Sequence, residues 1–270
     1  MAAILSRMPA RTIPELVGQV RAAHPDRTAF RFKRDGEWRD WDWTRAEEEC
    51  RGISRALLAS GVRRGDRVAI LSQTRLEWVL CDLGIAGCGG TTVGIYPSSP
   101  ATDCAYILDH SEAETVFVED AEQLAKLAAV RGEIPRLRRI VLFDGGGDPG
   151  IGVLSWEEFL RPAADVPEAS LDERQAAIGP EDVASIVYTS GTTGIPRGAM
   201  LTHGSLLFVA ASAREALSVT PGGVYLLFLP LAHVFARLTV HLCMSAANTI
   251  AFAEGLNQVA DNLKDRKSVV

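Results

Sequence analysis

Between Thr189 and Gly198 the chain reads Thr-Ser-Gly-Thr-Thr-Gly-Ile-Pro-Arg-Gly: three glycines, four hydroxyl side chains and one guanidinium, with Ile195 and Pro196 as the apolar exceptions. That mixture suits a phosphate cradle. Glycines let backbone N–H groups come close to a polyanion, Ser and Thr add hydroxyl donors, and Arg197 adds a fixed positive charge. A surface turn would account for the glycines. It would not account for hydroxyls and a cation directly after Ala184 to Tyr188, an apolar run that reads as a buried strand. A Walker loop fails on spacing. Counting from Gly191, it would need glycine where Pro196 stands, and a lysine followed by Ser or Thr where Arg197 is followed by Gly198. The candidate phosphate-binding residues are Thr189, Ser190, Gly191, Thr192, Thr193, Gly194 and Arg197.

A second stretch, Leu229-Pro230-Leu231-Ala232-His233-Val234-Phe235-Ala236-Arg237, sets one imidazole in an apolar run just after a strand predicted over Val224 to Leu229. Ligand pockets in α/β folds lie at such carboxyl ends, which makes His233 a candidate pocket residue. A lone histidine among apolar residues can equally be a satisfied core group. His241 follows two helical turns later. Direct ligation of one ion calls for closer spacing, such as i, i+4, and no carboxylate joins the pair, so no metal site is assigned. The five cysteines contain no C-x-x-C pair and read as buried free thiols.

The elements that must position these residues follow from periodicity. Asp35-Gly36 between Thr28–Lys33 and Glu37–Trp41 is a hairpin signal, with Trp38, Trp41 and Trp43 expected to pack across strands rather than stack on a ligand. Thr44 is expected to cap the following helix, with Glu47 completing a capping box, and Gly61 to end it. Strands are predicted at Arg67–Leu71, Thr91–Ile95, Thr115–Val118 and Arg139–Phe143. Helices are predicted between them at Arg75–Ala86, from Pro100 to His110 and at Glu122–Val130. This alternation implies βαβ crossovers and a mostly parallel sheet. Gly145-Gly146-Gly147 lacks dinucleotide-loop spacing and reads as a surface turn. The fold class is therefore α/β, mostly parallel sheets flanked by helices in two lobes: 1–165 with the early hairpin, a linker at 166–180, and 181–270 carrying the phosphate loop.

The 270 residues are 47% hydrophobic and 23% charged, with a net charge of −6 and no basic run, which argues against nucleic acid as the main partner. No apolar stretch reaches the ~20 residues that span a bilayer, and the N-terminus lacks a secretory core. A cytoplasmic protein is expected, with peripheral membrane contact left open.

The run from Tyr188 to Gly198 resembles the signature loop of the AMP-forming adenylate synthetases, which include acyl-CoA synthetases, luciferases and nonribosomal peptide adenylation domains. That family usually carries lysine where this chain has Arg197, a planar fork in place of a point charge. LPLAHVFAR is similar to the second core motif of acyl-CoA synthetases, where a histidine or aromatic sits between the acyl and nucleotide sites. GVRRGDRVAILSQTRLEWVLCDLGI and TTVGIYPSSPATDCAYILDHSEAETVFVED look like the long-chain fatty acyl branch, and the resemblance runs from about Thr12 to Lys264.

What the resemblance implies is ATP-dependent activation of a fatty acid to an acyl-adenylate with release of pyrophosphate, then transfer of the acyl group to CoA. Thr189 to Gly194 and Arg197 would hold the β- and γ-phosphates, Mg2+ would arrive with ATP, and His233 would position the substrate carboxylate rather than act as a base. The family's magnesium-binding glutamate, ribose aspartate and lid lysine have no counterpart in the sequence. The expectation is an N-terminal portion of a longer synthetase that does not itself complete thioester formation. The alternatives are a non-catalytic nucleotide- or acyl-binding module, or an adenylating enzyme for another carboxylic acid.

Overall fold

The computed structural model describes residues 10–189 and 196–265. Helix α1 (Ile13–Ala23) is capped by the Thr12 hydroxyl, which accepts from the Glu15 N–H. Strands β1 (Thr28–Arg34) and β2 (Glu37–Asp42) form the expected hairpin, its turn made by Asp35 and Gly36 at φ 55° and 76°. Both central residues take the left-handed region, as a type I′ turn requires. Helix α2 (Trp43–Ala59) is capped two residues earlier than the expected Thr44. Its cap is Asp42, whose carboxylate accepts from the Arg45 N–H at 2.8 Å, while the Thr44 hydroxyl donates to the Pro25 carbonyl at 3.3 Å. The carboxylate reaches the third helical amide, and that satisfies an otherwise orphaned donor.

The alternating stretch follows: β3 (Arg67–Leu71), α3 (Leu76–Gly87), β4 (Thr91–Ile95), α4 (Ala101–His110), β5 (Thr115–Val118), α5 (Ala121–Ala129), β6 (Arg139–Leu142) and β7 (Val153–Ser155). After α6 (Trp156–Leu160) and α7 (Glu168–Ala176) come β8 (Val183–Thr189), β9 (Arg197–Thr202), α8 (His203–Ala216) and β10 (Val224–Leu227). The described chain closes with α9 (Val234–Ser245), β11 (Thr249–Phe252) and α10 (Val259–Lys264). No helix among the described residues is long and apolar enough to cross a membrane.

Two sheets result. One runs β7-β6-β5-β3-β4-β8-β9, parallel throughout except for the β8–β9 pair. The other runs β10-β11-β1-β2, parallel except for the hairpin. Strands β4 and β5 are buried at every position, as parallel strands covered on both faces must be. The mostly parallel α/β arrangement is as expected, but the sheets do not divide at 166–180. Strands β8 and β9 extend the sheet begun by β3, and the N-terminal hairpin completes the sheet of β10 and β11.

Nor is 166–180 an extended linker. It contains α7, which buries Leu171 and sets Asp172 2.7 Å from Arg51 and Glu168 2.8 Å from Arg55 of α2. A helix held by one leucine and ion pairs shows no apolar periodicity, which is why its sequence reads as a connector.

Trp38 and Trp41 pack on the hairpin as expected, while Trp43 is the first residue of α2. Trp41 meets Phe32 edge-on with centroids 5.6 Å apart, Trp38 lies under the Lys33 ammonium at 5.1 Å, and fully buried Trp43 sits 6.0 Å from Phe30. All five cysteines are buried and free, and burial pushes the Cys88 and Cys243 thiols up to about 12. Such thiols are inert.

Candidate functional site

Thr189 and Arg197 face each other in register at the turn end of the β8–β9 hairpin, both exposed. They flank the connection that carries Ser190, Gly191, Thr192, Thr193 and Gly194, which lie outside the described residues. Strand β9 is absent from the sequence reading. It is an edge strand whose residues are exposed or half-buried, so it carries no alternating apolar signal. The hairpin brings Arg197 back beside Thr189 at the carboxyl end of β8, the end of a parallel strand at which α/β folds bind ligands.

Both feet of this hairpin are held by α4. The Tyr106 hydroxyl donates to the Pro196 carbonyl at 3.0 Å, and His110 Nδ1 lies 2.8 Å from the Tyr188 hydroxyl. Tyr106 stacks on His110 at 5.2 Å and meets Tyr188 edge-on at 6.5 Å. Burial pushes the Tyr188 phenol up to about 12, so it remains a neutral hydrogen-bonding group. Sequence reasoning missed this clamp. The signal was present, since Tyr106 and His110 are spaced i, i+4 and so share one helical face. Tyr106→Phe should remove one hydrogen bond worth about 0.5–1.5 kcal/mol and loosen the Pro196 foot. The expected result is binding of a polyphosphate anion weakened about threefold to tenfold with the thermal midpoint nearly unchanged, measured by titration and a melt. Unaltered binding would mean that the foot is held by the strand pairing alone.

His233 is not a core group. It is exposed and forms the N-cap of α9, its Nδ1 accepting from the Phe235 N–H at 3.2 Å. An accepting Nδ1 puts the proton of a neutral ring on Nε2, which is left as the outward donor. The preceding residue explains the placement. Ala232 is buried against Gly94, where an added Cβ would come within 2.9 Å of the Ala232 Cα. Gly94 is in turn paired with Val187 of β8. Close approach to a glycine therefore seats the His233 loop on the strand beside the phosphate hairpin.

A crevice of about 590 Å³ opens at the carboxyl ends of β1, β3, β5, β10 and β11, where Thr74, Arg75, Glu119, Phe228, Pro230 and Glu254 are among the lining residues. It occupies a topological switch point, because β3 lies between β4 and β5. Its charges are largely paired: Arg75 lies 2.7 Å from Glu77 and 2.5 Å from Asp144, and Lys33 lies 3.0 Å from Glu254. Burial raises the Glu119 carboxyl above the usual range. Among the described residues no group of three or more His, Cys, Asp or Glu side chains could hold a metal ion.

The model of the family described as AMP-binding enzyme matches residues 18–267. The long-chain-fatty-acid–CoA ligase FadD15 of Mycobacterium bovis is 34% identical over 248 residues, covering 91% of this chain and 40% of that protein. The long-chain-fatty-acid–CoA ligase ACSBG2 of Xenopus laevis is 30% identical over 258 residues, covering 93% of this chain and 35% of that protein. Among solved structures, the N-terminal domain of FACL13 from Mycobacterium tuberculosis superposes with a TM-score of 0.80 at 22% identity, over 95% of this chain and 61% of that one. The anthranilate CoA ligase AuaEII gives a TM-score of 0.80 at 25% identity, over 93% of this chain and 46% of that one. The chain thus spans 35% to 40% of the length of the two ligases compared by sequence.

Proposed function

The chain belongs to the AMP-binding enzyme family, and from that premise we propose that it is the triphosphate-holding part of a long-chain fatty acyl-CoA ligase. The observation that carries this reading is the pairing of Thr189 with Arg197 across the mouth of the β8–β9 hairpin. A guanidinium and a hydroxyl flank a connection rich in glycine and hydroxyl groups, a geometry suited to the β- and γ-phosphates of ATP. Magnesium would arrive with the triphosphate. The reaction is attack of the fatty acid carboxylate on the α-phosphate, giving acyl-adenylate and pyrophosphate, followed by transfer of the acyl group to CoA in the cytoplasm.

Each residue then has a role. Arg197 and the hairpin donors offset the negative charge that builds up on departing pyrophosphate. His233, with Nε2–H outward, donates to the carboxylate and orients it; as a donor it does not serve as the base. Tyr106 and His110 hold Pro196 and Tyr188, next to Arg197 and Thr189, so that these two residues are in place when the nucleotide arrives, which reduces the ordering cost of binding.

The test is a titration of the chain with MgATP and inorganic pyrophosphate. The two should compete for one site. No ATP binding, or pyrophosphate failing to displace ATP, would overturn the phosphate assignment. For substrate class, adenylate formation by the complete ligase from a panel of fatty, aryl and amino acids should favour the fatty acids, because the residues around His233 are Leu231, Ala232, Val234 and Phe235, with no carboxylate to meet an α-ammonium group.

A further inference from the structure

Arg237 is buried, its side chain 2% exposed, and two elements besides its own helix meet it. Its Nε donates to Asp82 Oδ2 at 3.2 Å and its Nη2 to Asp82 Oδ1 at 2.5 Å, a bidentate fork onto α3. Its Nη1 donates to Ser185 Oγ on β8, and its guanidinium lies 5.6 Å from the centroid of the Trp78 ring. The backbone at the same position is tied to the candidate site, since the Arg237 N–H points to the His233 carbonyl at 3.5 Å. Ser185 stands on the strand that ends at Thr189. One guanidinium thus joins the strand leading to the phosphate hairpin to the helix that His233 caps.

Stability alone does not explain such a group. Desolvating two charges is costly, and apolar side chains of similar volume hold a core as well or better. What a planar fork adds is register. It accepts a carboxylate in one orientation, whereas apolar surfaces can slide past one another.

We propose that Arg237, with Asp82 and Ser185, is a positioning residue for carboxylate adenylation, fixing His233 relative to the phosphate hairpin. The inference rests on the roles given to His233 and the hairpin under Proposed function. It adds a buried brace that neither the phosphate loop nor His233 contains.

The test uses the whole chain and three proteins: the wild type, Arg237→Lys, and the combined variant Asp82→Leu, Ser185→Ala, Arg237→Met, which removes every charge of the brace together. Urea unfolding should show the combined variant no less stable than the wild type. Imidazole nitrogen spectra should show His233 fixed as the Nε2–H tautomer in the wild type and averaging between tautomers in the combined variant, with the Thr189 amide shifted. On adding MgATP, both Thr189 and His233 should respond in the wild type, and only Thr189 in the combined variant. Should the combined variant fail to fold, Arg237→Lys decides by the same spectra, since it keeps the charge and loses the fork. Wild-type tautomer and amide signals in the folded variant would overturn the brace, with or without nucleotide. Absence of any ATP response in the wild type would instead strike the phosphate reading, and the tautomer spectra would still judge the brace.

Discussion

Between pH 7 and pH 4.5 the chain is expected to lose about 5 kcal/mol of folding stability through its two buried imidazoles, His203 and His241. Burial pushes both down to about 4 from an ordinary value of 6.5. His203 Nδ1 accepts from the Ile13 N–H at 3.2 Å, a bond that protonation there would break. His241 is fully buried, and neither ring nitrogen has a partner among the described residues. The sign follows from the lowered folded values. Above pH 6.5 both states are neutral and the stability is fully present. As pH falls below 6.5 the unfolded chain takes up protons first, so stability drains away until the folded imidazoles also titrate near 4.

Each histidine then accounts for about 2.5 kcal/mol at pH 4.5. His241→Leu separates them. At pH 7 this variant should be at least as stable as the wild type, because it removes a buried polar ring and keeps its volume. Urea unfolding at both pH values should show the wild type losing about 2.5 kcal/mol more than the variant. Equal losses would show that His241 takes up its proton as readily folded as unfolded.

In the complete ligase proposed above, Arg197→Ala should weaken ATP binding and adenylate formation by more than about tenfold, since a hydrogen bond to a charged group is worth about 1.5–3 kcal/mol. Arg197→Lys should retain most of both, because the point charge survives although the fork does not. The side chain is exposed on an edge strand, so neither change should disturb folding, and a thermal melt checks this. Competition by pyrophosphate should fall in parallel with ATP binding for the alanine variant. Equal ATP affinity in wild type and Arg197→Ala would remove Arg197 from the site.

Local patterns made the central elements legible. The apolar runs of β3, β4 and β5 and the Asp35-Gly36 turn are each set within a few residues, and each stands where the sequence puts it. The phosphate loop was legible by composition, and the structure adds what composition cannot carry. That Thr189 faces Arg197 depends on β9, whose exposed residues leave no periodic trace. The Asp82 to Arg237 pair joins residues 155 apart in the chain, and no short-range rule links them. Sheet membership was the largest gap. Nothing in Thr28–Arg34 announces that its partner strand is Thr249–Phe252, because parallel pairing is decided by packing between distant segments.

That pairing has a consequence for the order of events on the ribosome. The hairpin of β1 and β2 leaves the exit tunnel early, but its neighbours β10 and β11 begin only at Val224. At a synthesis rate of ~5–20 residues per second, the hairpin waits on the order of ten seconds or longer for them. During that delay Phe30 has no Phe252, the ring that later lies 6.0 Å from it. The sheet of β3 to β9 can assemble meanwhile from segments made in succession. A two-stranded hairpin is marginal by itself in water, so its apolar face is the surface that a nascent-chain chaperone would find exposed for longest.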